Sequence, residues 1–301
     1  MAGLRIIDPH QHFWDLNTNY HPWLSDERPI VFRYGDYSSL RRNYMPGDYL
    51  SDADGFEVVK TVYVEAEWDP DDPIGETRWV SALADGHGLP TAIVAQAWLD
   101  RADAAEVLAA QAAIPRVRGV RQKPAAAATP KSARRGVPRS MDDSRFREGF
   151  SKLQSLGLSY DLQTPWWHLD AALDLARDFP GTQIILNHTG LPADRSPEGL
   201  VGWRKAMGAL ADADNVALKI SGLGQPGQAW TAEANGPIVR DAIAMFGADR
   251  CMFASNFPVD GLCADFRTIF TGFMAITADM KENDRQKLFH DNAERLYRLT
   301  V

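Results

Sequence analysis

The chain is short of cysteine: Cys251 and Cys263 are the only two in 301 residues, so no disulfide framework holds it together. Positive charge is also outnumbered. With 32 Lys and Arg against 40 Asp and Glu, the formal net charge is −8, which gives no support to binding of nucleic acid or to adhesion to anionic membranes. No apolar run approaches a membrane-spanning length, and the first residues lack a basic-then-apolar leader pattern, so the expectation is a soluble cytoplasmic protein. No glycine-rich dinucleotide fingerprint follows any β-rich run, which argues against a Rossmann-type sheet.

What the chain does have is a repeated alternation. Short β-rich runs occur at 4–7, 60–65, 91–97, 117–122, 158–163, 182–188, 216–221 and 250–255. Between several of them lie segments of helical period, such as Leu169 to Phe179 and Pro237 to Phe246. Strands alternating with helices predict a parallel sheet covered by helices, and eight such units in one chain predict a single (β/α)8 barrel spanning residues 1–301. Two stretches exceed a simple repeat. Phe13 to Asp54 is dense in Tyr, Trp, Arg and Asp, and a connection that long is usually functional or a subdomain; Pro124 to Asp143 reads as an extended loop after the fourth strand.

Active sites of such barrels lie at the C-terminal ends of the strands, and here those ends collect polar residues. The first run closes on Asp8-Pro9-His10-Gln11-His12, where a period of two would project Asp8, His10 and His12 to one side. The second ends at Glu65 and Glu67, the fourth at Arg121 and Lys123, and the fifth at Asp161 and Gln163. His188 ends the sixth, Lys219 and Ser221 the seventh, and Asn256 follows the eighth. Each alone has a structural explanation, such as a strand brace or a satisfied core histidine. Three histidines at one end of one barrel are harder to explain that way, because neutral imidazole is a favoured ligand of zinc and its neighbours.

The run Ile7 to Asp15 (IDPHQHFWD) resembles the opening of the amidohydrolase superfamily, in particular its lactonase branch. Gly119-Val120-Arg121, Ile184 to Gly190, Lys219 to Leu223, Phe253 to Val259 and Asn292 to Tyr297 extend the likeness over the whole chain in family order. The resemblance implies a distorted barrel and hydrolysis of sugar-acid, muconate-type or pyrone dicarboxylate lactones. It matches His10 and His12 to the first-strand metal pair and His188 to the sixth-strand histidine. It also exposes a departure. Where the family has Ser-Asp-Trp-Pro this chain has Ser255-Asn256-Phe257-Pro258, and an amide cannot take a proton from water near neutral pH. The family's bridging lysine has no match on the fourth strand either, where Arg121 stands.

The expected function is opening of a small, anionic lactone by activated water. One divalent ion, zinc or manganese, would sit on His10, His12 and His188; a metal-independent mode, with the same histidines as hydrogen-bond donors, stays open. The expected catalytic group comprises His188, Asn256, Glu65 and Asp161. Arg121, Lys123, Lys219 and Gln163 would bind the substrate's anionic and polar groups, with Trp167 and Phe13 as aromatic wall. The partner is a small molecule, with self-association into a homo-oligomer left open. Two other readings are a non-hydrolytic reaction on the same scaffold, decarboxylation or lactone isomerisation, and a non-catalytic barrel that binds a small molecule.

Overall fold

A computed structural model describes residues 4–300. The eight β-rich runs form strands β1 (Ile6–Gln11), β2 (Val58–Val64), β3 (Ala92–Gln96), β4 (Val117–Gln122), β5 (Ser159–Leu162), β6 (Ile184–Leu186), β7 (Val216–Ile220) and β8 (Cys251–Phe253). They lie in sequence order in one parallel sheet. The sheet closes at the C-terminal end. There the Asn256 amide donates to His10 O and the His12 amide to Phe257 O, both at 2.8 Å. Asp8 clasps the same seam, accepting from the Ser255 amide at 2.9 Å, the Ser255 hydroxyl at 2.6 Å and the Tyr49 hydroxyl at 2.8 Å.

Alternation along each strand sorts the side chains. Ile7, Val62, Val64, Val94, Ile185 and Met252 fill the barrel interior, and Leu296 and Tyr297 of the C-terminal segment pack against them. Their neighbours Ile6, Tyr63, Ile93, Ile184, Leu186 and Phe253 face outward into the larger core beneath the helices. Helices Ser144–Phe150, Pro197–Ala211, Ala232–Phe246 and Phe266–Ile276 begin at side-chain caps from Asp143, Ser196, Thr231 and Asp265, which satisfy amides that a helix start leaves free. The third of these starts five residues before Pro237, the predicted start, because Thr231 rather than the proline sets its beginning.

The long connection between β1 and β2 bends over the barrel mouth. Trp23 packs edge-on against Trp14 (5.7 Å between ring centroids) and stacks on Phe32 at 5.6 Å, which pins the segment. Among the described residues, no helix is long and apolar enough to cross a membrane.

Candidate active site

A cavity opens at the C-terminal end of the barrel. His12, Glu67, Arg121, Lys123, Gln163, His188 and Asn256 reach it from strand ends, and Trp23, Ile30, Val31, Phe32 and Arg33 form a wall from the β1–β2 connection. Backbone strain concentrates here. Glu67, His188 and Asn256 hold φ of 56°, 55° and 54°, in the left-handed region that non-glycine residues rarely occupy and that clusters at functional sites. Gly222, at φ 66°, leaves the room this needs, since a Cβ there would stand 2.7 Å from the His188 Cβ.

The β1 register shifts between Asp8 and Gln11, which breaks the period of two. His10 and His12 therefore turn into the barrel together, with ring centroids 5.0 Å apart, whereas Asp8 is taken up by the β1–β8 seam. His12 Nδ1 donates to Val64 O at 2.7 Å, which leaves Nε2 bare, 3.2 Å from Asn256 Oδ1. The amide is oriented by its Nδ2, which donates to Asp260 Oδ1 at 2.6 Å. His188 Nδ1 meets the Ser221 hydroxyl at 3.0 Å. Burial pushes His12 down to about 3 and holds His10 and His188 well below the ordinary histidine value, so all three are neutral near pH 7.

His10 lies deeper than expected. Its Nδ1 faces Lys219 Nζ at 3.4 Å and its Nε2 faces Arg121 at 3.5 Å, so both nitrogens are turned towards cations. Among the described residues no three His, Cys, Asp or Glu side chains form a group arranged to hold a metal ion, and the expected trio of His10, His12 and His188 is not assembled as one. The atoms that do suit a cation are His12 Nε2 and Asn256 Oδ1. Two buried acceptors face each other without a proton between them, an arrangement that a cation or an incoming donor relieves.

Five expected site residues lie elsewhere. Asp161 and Lys219 point into the barrel interior below the cavity, fully buried and paired at 2.6 Å, with the Tyr297 hydroxyl on Asp161 at 2.9 Å. Strand-end position placed them correctly in sequence but not in depth. Phe13 follows His12 and so faces outward, between Tyr49 and Tyr63. Trp167 is turned away by the 3-10 turn Trp166–His168 and donates from Nε1 to Ala127 O at 2.9 Å. Glu65 is buried, ion-paired with Arg121, and accepts the Glu67 amide at 2.8 Å; it does not line this cavity.

Two residues escaped the sequence reading. Asp260, one helical turn beyond Asn256, accepts from Tyr34 at 2.9 Å, Arg33 at 3.2 Å and the Gly222 amide at 2.9 Å. Arg33 leans over Tyr34 with its Cζ 4.5 Å from the ring centroid, while its Nη1 is buried without a partner. The density of Arg and Tyr in the β1–β2 connection was the available signal for Arg33.

A parallel (β/α)8 barrel with a histidine cluster and cationic walls at its C-terminal mouth defines a class of enzyme scaffold. Within that class the chain belongs to the amidohydrolase family, whose model (Amidohydro_2) matches residues 7–299. It is 45% identical to protein y4mH of Sinorhizobium fredii over 99% of this chain and 100% of that one. It is 27% identical to the L-fucono-1,5-lactonase of Burkholderia ambifaria, over 86% of this chain and 82% of the lactonase. A crystal structure of a Burkholderia multivorans amidohydrolase with bound HEPES superposes with a TM-score of 0.81 at 25% identity, covering 98% of this chain and 99% of that one.

Proposed function

We propose that the chain hydrolyses a small anionic lactone. The observation that carries this reading is the meeting, in one cavity, of neutral His12 and His188 with the cations Arg33, Arg121 and Lys123. The likeness to L-fucono-1,5-lactonases supports it. Guanidinium and ammonium groups suit a substrate carboxylate, and the neutral imidazoles suit proton movement at the ring ester.

In this scheme Arg121 and Lys123 hold the substrate's anionic group, and Gln163, which accepts from Arg121 at 3.3 Å, steadies the fork. Asn256 orients the attacking water through Oδ1 and takes no proton. His188 accepts that proton at Nε2, its Nδ1 being occupied by Ser221, and returns it to the leaving alkoxide. His12 Nε2 and Asn256 Oδ1 would hold a divalent ion, zinc or manganese. Such an ion, when bound, supplies carbonyl polarisation and a lowered water pKa. The test is acid release from sugar-acid, muconate-type and pyrone lactones by the wild type and by His188→Ala. Turnover in the wild type and its loss in the variant is the expected result.

A second reading, decarboxylation on the same scaffold, is favoured by Asn256, because that reaction needs no base for water. Release of CO2 from hydroxybenzoates without acid release from any lactone would select it.

A further inference from the structure

Beside the main cavity lies a second one, on the far side of the Lys123–Glu67 ion pair. The two share Glu67, Arg121 and Lys123, and the second continues to Gln96, Trp98 and Arg139. Two of its lining residues each carry a buried polar atom without a partner, Gln96 Oε1 and Trp98 Nε1. Gln96 is only 2% exposed, and its amide nitrogen is directed to Trp68 O at 3.4 Å, so its oxygen is left over. A buried unsatisfied acceptor and a buried unsatisfied donor each cost about 1–3 kcal/mol, and hydroxyls are groups that can donate to an acceptor such as the first and accept from a donor such as the second. Arg139 adds a cation. It stands over Trp98 with its Cζ 5.3 Å from the ring centroid, it is more than half exposed, and its nearest carboxylate, Asp100, is 3.6 Å away.

We propose that this side pocket is a second substrate subsite, which takes a hydroxyl-bearing chain attached to the lactone ring while the ring itself stays at His12 and His188. The Lys123–Glu67 pair forms the sill between the two compartments, so a substrate that spans them crosses a polar threshold. This assignment rests on the lactone-hydrolase reading for the position of the ring, but the pocket and its unpartnered atoms stand apart from it.

The test compares two lactones of the same ring and charge, one compact and one carrying a polyhydroxylated side chain, in Trp98→Phe, Gln96→Met and Arg139→Gln. Each variant should raise KM for the chain-bearing lactone about fivefold to tenfold, from loss of one hydrogen bond. KM for the compact lactone and kcat for both should stay unchanged. Equal shifts for the two lactones, or none, would overturn the subsite. Arg139→Gln changes an exposed side chain and so keeps the test valid if a buried variant fails to fold. If the wild type opens no lactone at all, calorimetric titration with D-gluconate separates the two ideas. Binding that weakens in Arg139→Gln and Trp98→Phe would keep the subsite and sink the hydrolase reading, while absence of binding would overturn the subsite.

Discussion

His12 Nε2 and Asn256 Oδ1 face each other at 3.2 Å, and both are acceptors. The tautomer of His12 is set by Val64 O and the amide orientation by Asp260, so neither side can supply the missing proton. With an aspartate at 256 the same place would hold a base. With asparagine it holds an oriented dipole, and the proposed mechanism gives the base chemistry to His188.

Asn256→Asp should therefore damage the protein before it improves catalysis. It replaces the donor on Asp260 with a second carboxylate in a buried position, and one of the two then titrates well above the normal range. A raised folded pKa means that the protonated form is the stable one, so the penalty is fully present at high pH and shrinks as pH falls through that pKa. Thermal melts should show a loss of about 1–3 kcal/mol at pH 8 and less at pH 5. A variant more stable than wild type at pH 8 would contradict the orientation of Asn256.

Acid should destabilise the fold early. Burial holds His12 at about 3 and His21 at about 4, and keeps His10 and His188 well below 6.5, so the unfolded chain takes up protons that the folded one refuses. Depressed folded pKa values give stability that is complete above pH 6.5 and is lost as pH falls below it, at about 1.4 kcal/mol per pH unit for each histidine. Denaturant midpoints measured from pH 7 to 5 should fall steeply, whereas kcat/KM should show no protonation limb near 6.5.

Asp161 and Lys219 should behave as structural residues. Asp161→Asn leaves a buried ammonium with its partner neutralised, and Lys219→Met leaves a buried carboxylate, so each should cost about 3–5 kcal/mol of stability. Replacing both by apolar residues should restore much of it. A single variant of normal stability and abolished turnover would return these residues to the catalytic set.

Arg33→Gln should raise KM for an anionic lactone about tenfold or more, the loss of a charge-assisted contact, with a smaller effect on kcat. A neutral lactone of the same ring should show no such change. Equal effects on both would mean that Arg33 serves only to position Asp260.

Metal content offers a separate check on the floor of the cavity. Purified protein should carry up to one divalent ion per chain by mass spectrometry, and His12→Ala should remove it. Retention of the ion in that variant would exclude the His12–Asn256 pair as its seat.

Much of this fold was readable from alternation alone. All eight strands formed where β-rich runs stood, since a barrel strand buries both faces and needs little beyond local β-propensity. Depth was not readable. Asp161, Lys219 and His10 share the inward phase of their strands with cavity residues, and only the layering of the interior separates floor from mouth. Asp8 was misplaced because a register shift is a property of strand pairing, invisible in one strand's sequence. Arg33 and Asp260 were missed because they come from connections, whose packing depends on contacts more than 200 residues apart.

The most direct measurement is a pH-stat screen of anionic sugar-acid, muconate-type and pyrone lactones with wild type and His188→Ala side by side. The account predicts acid release from at least one lactone by the wild type and its loss in the variant. Absence of acid release across the panel, or undiminished release by His188→Ala, would contradict it.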